Sequence, residues 1–206
     1  GAFLAIVTQT AAQTKMPATI NAASPSLIDV KTAVAAASEG DIVMVPAGTA
    51  SWTSCLIITK GITLMGATTV TNAGTQNPTV NDATIIKDDS PQNATSQSGL
   101  IQTSLSPSQS FRLTGFTFRY GSRTTVNNHG AIYLISTGNS AHFNIRVDHC
   151  HFDQLYETAV ETGGWVYGVA DHNYIVGRHE SYLIYHPNYG GQTLGDGAWA
   201  DFPWFG

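Results

Sequence analysis

A chain of 206 residues with 11% charged side chains, 20 glycines and a net charge of -5 is long enough to bury one sizeable core. The acidic balance offers no phosphate-binding footprint and argues against nucleic acid as a partner, and no apolar run approaches the ~20 residues that cross a bilayer. Few charges among many Thr, Ser, Asn and Gly suit strands joined by turns better than a helical bundle, and they favour a secreted or cell-surface protein.

The opening run Gly1-Ala2-Phe3-Leu4-Ala5-Ile6-Val7 has no charged segment before it and reads as a first β-strand. Residues 8–23 are rich in Thr, Ala and Gln and read as a loose lead-in, so the expected division is 1–23 as lead-in and 24–206 as one domain. Ser24-Pro25 predicts a helix over 25–38, with Ser24 as N-cap and Pro25 at the first helical position. Leu27, Val30, Val34 and Ala37 form its apolar face, and Gly40 closes it. Strands follow at 41–45, stopped by Pro46-Ala47-Gly48, and then at 56–58 and 62–65 around the turn Lys60-Gly61. Three short strands within 25 residues predict one coil of a three-sided solenoid.

The run Gly40-Asp41-Ile42-Val43-Met44-Val45-Pro46-Ala47-Gly48-Thr49, with Trp52 and then Ile58-Thr59-Lys60-Gly61-Ile62-Thr63-Leu64-Met65-Gly66, resembles the N-terminal coil of the pectate-lyase-like superfamily. The resemblance implies an all-β fold, a right-handed parallel β-helix whose open end is capped by a helix at 25–38. It also implies that the C-terminal part of the solenoid lies beyond residue 206.

Further along, polar stretches 68–82, 90–98 and 121–130 read as projecting loops. Candidate strands lie between them at Thr84-Ile85-Ile86, Leu100-Ile101 and 131–135. Three segments repeat one another: Leu113-Thr-Gly-Phe-Thr-Phe118, Val147-Asp-His-Cys-His-Phe152 and Ala170-Asp-His-Asn-Tyr-Ile175. Strand alternation turns Ile145 and Val147 inward and Arg146 and Asp148 outward, and stacking sets Asp148 beside Asp171 and His149 beside His172. With about three coils of ~4.8 Å between them, Cys55 and Cys150 are too far apart to bridge and are expected as free, largely buried thiols.

Twelve of the 20 aromatic residues fall in 150–206, a concentration that suggests either a core or a saccharide platform. Trp165, Tyr167, Tyr174 and Tyr182 are the candidates for stacking on sugar rings, Tyr174 being the one expected to face outward. The last segment, with Trp204 and Phe205, ends without a polar cap. With the apolar strand carrying Phe3, Leu4 and Ile6, it supports a second reading, a structural or adhesive subunit whose copies join end to end into a filament or surface fibre.

For the first reading, an extracellular carbohydrate-active protein, the chemistry comes with the resemblance. Ile145-Arg146-Val147-Asp148-His149 is similar to the hydrophobic-x-Asp-His signature of pectate lyases, with Arg146 where that signature carries an aromatic residue. In such lyases acidic side chains on one outer sheet hold Ca²⁺, which acidifies the proton beside the substrate carboxylate, and an Arg or Lys removes it. Carried onto this chain, Asp148 and Asp171 are the metal pair, and Arg178, Arg146 and Arg119 are the candidate bases or clamps for a polysaccharide carboxylate, Arg178 and Arg146 first among them. The alternative is that both Asp-His pairs are turn residues bonded to neighbouring backbone. A glycoside hydrolase ranks lower: Asp88-Asp89 precedes the expected cleft and Asn128-His129-Gly130 matches that chemistry only in part. His149, His151 and His172 lack any zinc-binding spacing, and Asp153, Glu157, Glu161 and His179-Glu180 are further acid–base candidates. Asn93-Ala94-Thr95 is a glycosylation sequon in a polar stretch.

Overall fold

The protein is described here from a computed structural model covering residues 16–73, 75–91, 99–123, 130–135, 141–155, 158–163, 166–177, 184–185 and 199–205, the last two segments as backbone only. It is built of strands in parallel sheets with one short helix. The strands form three ladders. The first contains Thr19–Asn21, Ile42–Met44, Thr63–Met65, Phe111–Thr114, His142–Asp148 and the first half of Val166–Val176. The second contains Gly48–Trp52, Thr84–Asp88, Thr117–Tyr120, His151–Asp153 and the second half of Val166–Val176. Trp199–Phe205 pairs along both halves of that long strand, which joins the two ladders into one sheet. The third ladder contains Leu56–Ile58, Ile101–Thr103, Ile132–Ile135, Val160–Gly163 and Ile184–Tyr185. From Ile42 onward the chain visits first, second and third ladder in turn, and every ladder pairing is parallel.

Alternation explains the core. Val43, Leu64, Leu113, Val147 and Ala170 are in register and all fully buried, one inward column of the first ladder. Ile86, Phe118, Phe152 and Ile175 form the matching column of the second, and Leu56, Ile101, Ile132 and Val160 that of the third. Phe118 stacks on Phe116 at 5.6 Å and on Phe152 at 5.5 Å between ring centroids. The three repeated segments align in space as in sequence, since Leu113 pairs with Val147 and Val147 with Ala170.

Helix α1 spans Leu27–Ala36 and packs on Thr19–Asn21, Gly48–Trp52 and Leu56–Ile58, so it covers the first strands of the ladders. Its N-cap is Ser26, whose hydroxyl accepts from Asp29 N at 3.3 Å, two residues later than the expected Ser24. Pro25 stays outside the helix because its carbonyl accepts from the buried indole Nε1 of Trp52 at 2.9 Å. Gly40 does not cap the helix either: the chain turns extended at Ala37, and Gly40, at φ 80°, serves the following turn. The open carbonyls of the last helical turn are instead met by Lys60, whose Nζ donates to Val34, Ala35 and Ala37 at 3.1, 2.8 and 2.6 Å.

Three further expectations need correction. Residues 19–21 belong to the first ladder and not to a loose lead-in, because Ile20 pairs with Val43. The first strand ends at Met44, ahead of Pro46 as expected, but Gly48–Trp52 adds a strand within the round and Thr63–Met65 starts the next one, since Val43 and Leu64 are partners. The stretch 68–82 is not all loop: Thr69–Thr71 and Thr79–Asn81 form an antiparallel hairpin. Cys55 is half-buried and Cys150 buried, both free thiols, and burial pushes the Cys150 thiol up to about 12, which leaves it inert.

Candidate functional site

The outer face of the first ladder carries Arg146, Asp148, Asp171 and Tyr167 of the expected site. Asp148 and Asp171 are in register, and the rings of the residues that follow them, His149 and His172, stack 4.9 Å apart and 6° from parallel. Asp148, although it points outward, is fully buried, because arginines close over it. Arg112, two residues from Thr114 on the neighbouring strand, donates through Nε and a terminal nitrogen to both Asp148 oxygens at 3.0–3.3 Å. Arg146 reaches Asp148 Oδ2 at 2.5 Å and donates to Asp171 Oδ1 and Oδ2 at 3.2 and 2.8 Å. Asp171 Oδ2 also lies 3.0 Å from His172 Nδ1.

The two carboxylates expected to share a cation therefore come together, but all four of their oxygens face guanidinium or imidazole nitrogens. Arg146 bridges the two, and with Arg112 it balances their charge. Its Nε and one terminal nitrogen are held as hydrogen-bond donors, a state suited to gripping a carboxylate more than to removing a proton.

Beside this cluster the strand His142–Asp148 carries a bulge. His142 pairs with Val166 and Ile145 with Gly168, so Phe143 and Asn144 together oppose Tyr167, and Asn144 takes φ 68°. The extra residue turns both side chains outward. Phe143, 53% exposed, stacks on half-buried Tyr167 at 4.9 Å. Asn144, Arg146 and Arg112 line a cleft of about 120 Å³ with Gly40, Thr63 and Ser110, at the amino-terminal ends of the strands. That volume is below the ~300 Å³ of a small-ligand pocket and fits a carboxylate group, not a sugar ring.

A second cluster sits on the second ladder, at the foot of the hairpin. His151 Nδ1 lies 2.7 Å from Asp82 Oδ1, Thr117 Oγ1 donates to the same oxygen at 2.6 Å, and Thr117 in turn meets Thr68 at 3.0 Å. Arg119 bridges the two carboxylates, reaching Asp82 Oδ2 at 2.6 Å and Asp153 Oδ2 at 2.5 Å. Burial alone would raise the Asp82 carboxyl, but hydrogen bonds from Thr117 and His151, with the charges of His151 and Arg119, outweigh it and hold it below the ordinary value. Desolvation would likewise lower Arg119, and its bonds to Asp153 and Asp82 raise it instead. Tyr174 is half-buried with its ring tilted against His151 at 5.3 Å, so it is less free than expected.

Among the remaining candidates, Asp88 is buried against Arg123 at 3.2 Å and Glu161 is buried in the third ladder, both structural placements. Asp89 accepts from Ser51 and from Ser122 N. Arg178, Trp165, Tyr182, Phe3, Leu4, Ile6, Glu157, His179, Glu180, Asn93, Asn128 and His129 lie outside the described residues, and Trp204 and Phe205 are placed only as backbone of the last strand.

The sequence reading missed Phe143, Asn144, Arg112 and Asp82. A bulge leaves no signature in residue type, and Asp82 meets His151 across 69 positions only once the hairpin is folded. No protein-family model matches this sequence, and no curated protein or solved structure matches it either.

Proposed function

We propose that this chain is an extracellular right-handed parallel β-helix, related to the pectate-lyase-like proteins it resembles, that binds an acidic polysaccharide on the outer face of its first ladder. The cyclic visiting order of the ladders supports the solenoid, and parallel crossovers take the right hand almost without exception. The observation that carries the binding reading is the exposed Phe143–Tyr167 stack beside the cleft of Asn144, Arg112 and Arg146. A sugar ring lies on the aromatic faces and its carboxylate enters the cleft, where Arg112 and Arg146 are the charged lining groups among the described residues.

The reading is a glycan binder more than a lyase. Asp148 and Asp171 spend their oxygens on Arg112 and Arg146, which leaves a shared Ca²⁺ without open ligands there and Arg146 without the freedom of a base. The filament reading has less support, since α1 lies over the first strands of the ladders and a second copy could not add strands at that end.

The test is affinity electrophoresis of the intact chain in polygalacturonate, alginate and a neutral glucan, with and without chelator. Retardation by the uronate polymers alone, lost in Arg146→Gln and in Phe143→Ala and indifferent to chelator, is the expected result. Equal retardation by neutral glucan overturns the acidic specificity, and ultraviolet absorbance from unsaturated products would make the protein a lyase.

A further inference from the structure

The glycan face depends on Phe143 and Asn144, which the bulge turns outward, and the ladder alone does not hold them. Between Phe111–Thr114 and His142–Asp148 the first pair is Phe111 with Ile145. Residues 142–144 therefore run ahead of the ladder on that side, where a bulge can flatten unless something else pins it. The link to the preceding round is the side chain of His142. It is 1% exposed, and its Nε2 lies 2.5 Å from the backbone oxygen of Gln109, the residue before Ser110 of the cleft. A carbonyl only accepts, so Nε2 carries the hydrogen. Nδ1 is buried as well and has no hydrogen-bond partner among the described residues. A leucine would fill this space without stranding a polar atom, so the position requires the Nε2 bond and not merely the bulk of the ring.

Gln109 is itself a fixed anchor. Its Nε2 donates to Glu39 Oε1 at 2.6 Å and to Thr59 O at 3.2 Å, and its Oε1 accepts from Ser106 N at 2.7 Å. Glu39 Oε2 in turn accepts from Gly61 N at 2.7 Å, and Gly40 N donates to Gly61 O at 2.7 Å. These bonds connect the starts of four successive strands of the first ladder, along the rim of the cleft that Gly40, Gly61, Ser110 and Asn144 line. We propose that His142 is the positioning residue of the glycan face: its bond to Gln109 O sets the bulge, and the bulge sets the Phe143–Tyr167 stack and Asn144. The consequence for binding rests on the glycan reading above, while the geometry stands apart from it. His142 is buried and acts on the glycan only through its two neighbours.

Near-ultraviolet circular dichroism of the full chain reports the stack, and subtracting the spectrum of Tyr167→Phe isolates the Tyr167 band. His142→Leu is expected to lose most of that band and to weaken polygalacturonate retardation about tenfold, the scale of a lost aromatic contact. His142→Gln should keep both close to wild type, because its amide nitrogen stands as far from Cβ as Nε2 does and donates to the same carbonyl. Should His142→Leu fail to fold by far-ultraviolet circular dichroism, His142→Asn, whose shorter amide falls short of Gln109, must lose the band in its place. A Tyr167 band that survives without the donor overturns the proposal. So does a band lost equally in His142→Gln, which would mean that the shape of the ring alone holds the stack, and so does a lost band with undiminished retardation. A wild type that no uronate polymer retards overturns the glycan reading instead, and the band still decides whether His142 sets the bulge.

Discussion

The ring of His149 lies face to face with that of His172, and both residues hold left-handed backbone, at φ 51° and 54°. Gly115 takes the same place one strand earlier, at φ 75°, since Thr114 pairs with Asp148 and Asp148 with Asp171. The turn from first to second ladder thus demands a conformation that costs an L-residue ~1–2 kcal/mol. His149→Gly is expected to leave stability within about 1 kcal/mol of wild type, relief of φ offsetting the lost stacking and the greater chain entropy. Gly115→Ala is different, because its new Cβ would stand 2.6 Å from the Gly66 carbonyl oxygen. It should lose ~2 kcal/mol or more, read as a shift of the urea midpoint at constant slope.

The same turn depends on Asn173, a fully buried side chain. Its Nδ2 donates to Val147 O at 2.9 Å and its Oδ1 accepts from Cys150 N at 3.0 Å, which satisfies two backbone groups of the preceding round. Asn173→Leu keeps much of the volume and strands both groups, for an expected loss of ~2–4 kcal/mol. Hydrogen exchange should place the damage locally, with the Cys150 amide among the first to lose protection. Loss spread evenly over all three ladders would count against this role.

This turn also shows what could be read from sequence. The Asp-His repeat at 148–149 and 171–172 predicted the stacking that the ladders contain, because residue alternation and a 23-residue offset leave one register. The inward Val, Leu, Ile and Phe columns were legible for the same reason. What was not legible depends on contacts between distant segments. Ser26 takes the cap from Ser24 because Trp52 engages Pro25, and Arg112 joins Asp148 from another strand. The Asp148–Asp171 pair was correctly brought together, yet its neutralisation by arginines follows from side chains whose register no local pattern encodes.

Acid should weaken the fold through Asp82 and Asp89. The Ser51 hydroxyl, followed by the Ser122 amide, holds the Asp89 carboxyl below its ordinary 3.8, and Asp82 is lowered as well. A carboxyl depressed in the folded state binds protons less readily than in the unfolded chain. Its stabilising share is therefore complete above the unfolded value and is lost as pH falls through the lowered one. Loss from these two groups should begin near pH 3.8 and continue below it. Urea unfolding over a descending pH series should show a shallower decline below that point in the double variant Asp82→Asn, Asp89→Asn. An unchanged slope would mean that neither group is linked to folding.

Asp148 has two guanidinium partners, and that redundancy predicts non-additivity. The carboxylate is fully buried while Arg112 and Arg146 are 40% and 44% exposed. Removing either arginine leaves the other to neutralise the charge, so Arg112→Met and Arg146→Met should each cost ~1 kcal/mol or less, the released partner being partly solvated already. Removing both strands a buried carboxylate, a change in the range of ~3–5 kcal/mol. The double variant should therefore exceed the sum of the singles by more than about 1 kcal/mol, outside the additivity of independent sites. Asp148→Asn added to the double variant should restore much of the loss, because a neutral amide needs no counter-charge in that position. Additive singles and no rescue would show that Asp148 reaches water by a path the folded state does not reveal, and that the arginines face outward for the glycan alone.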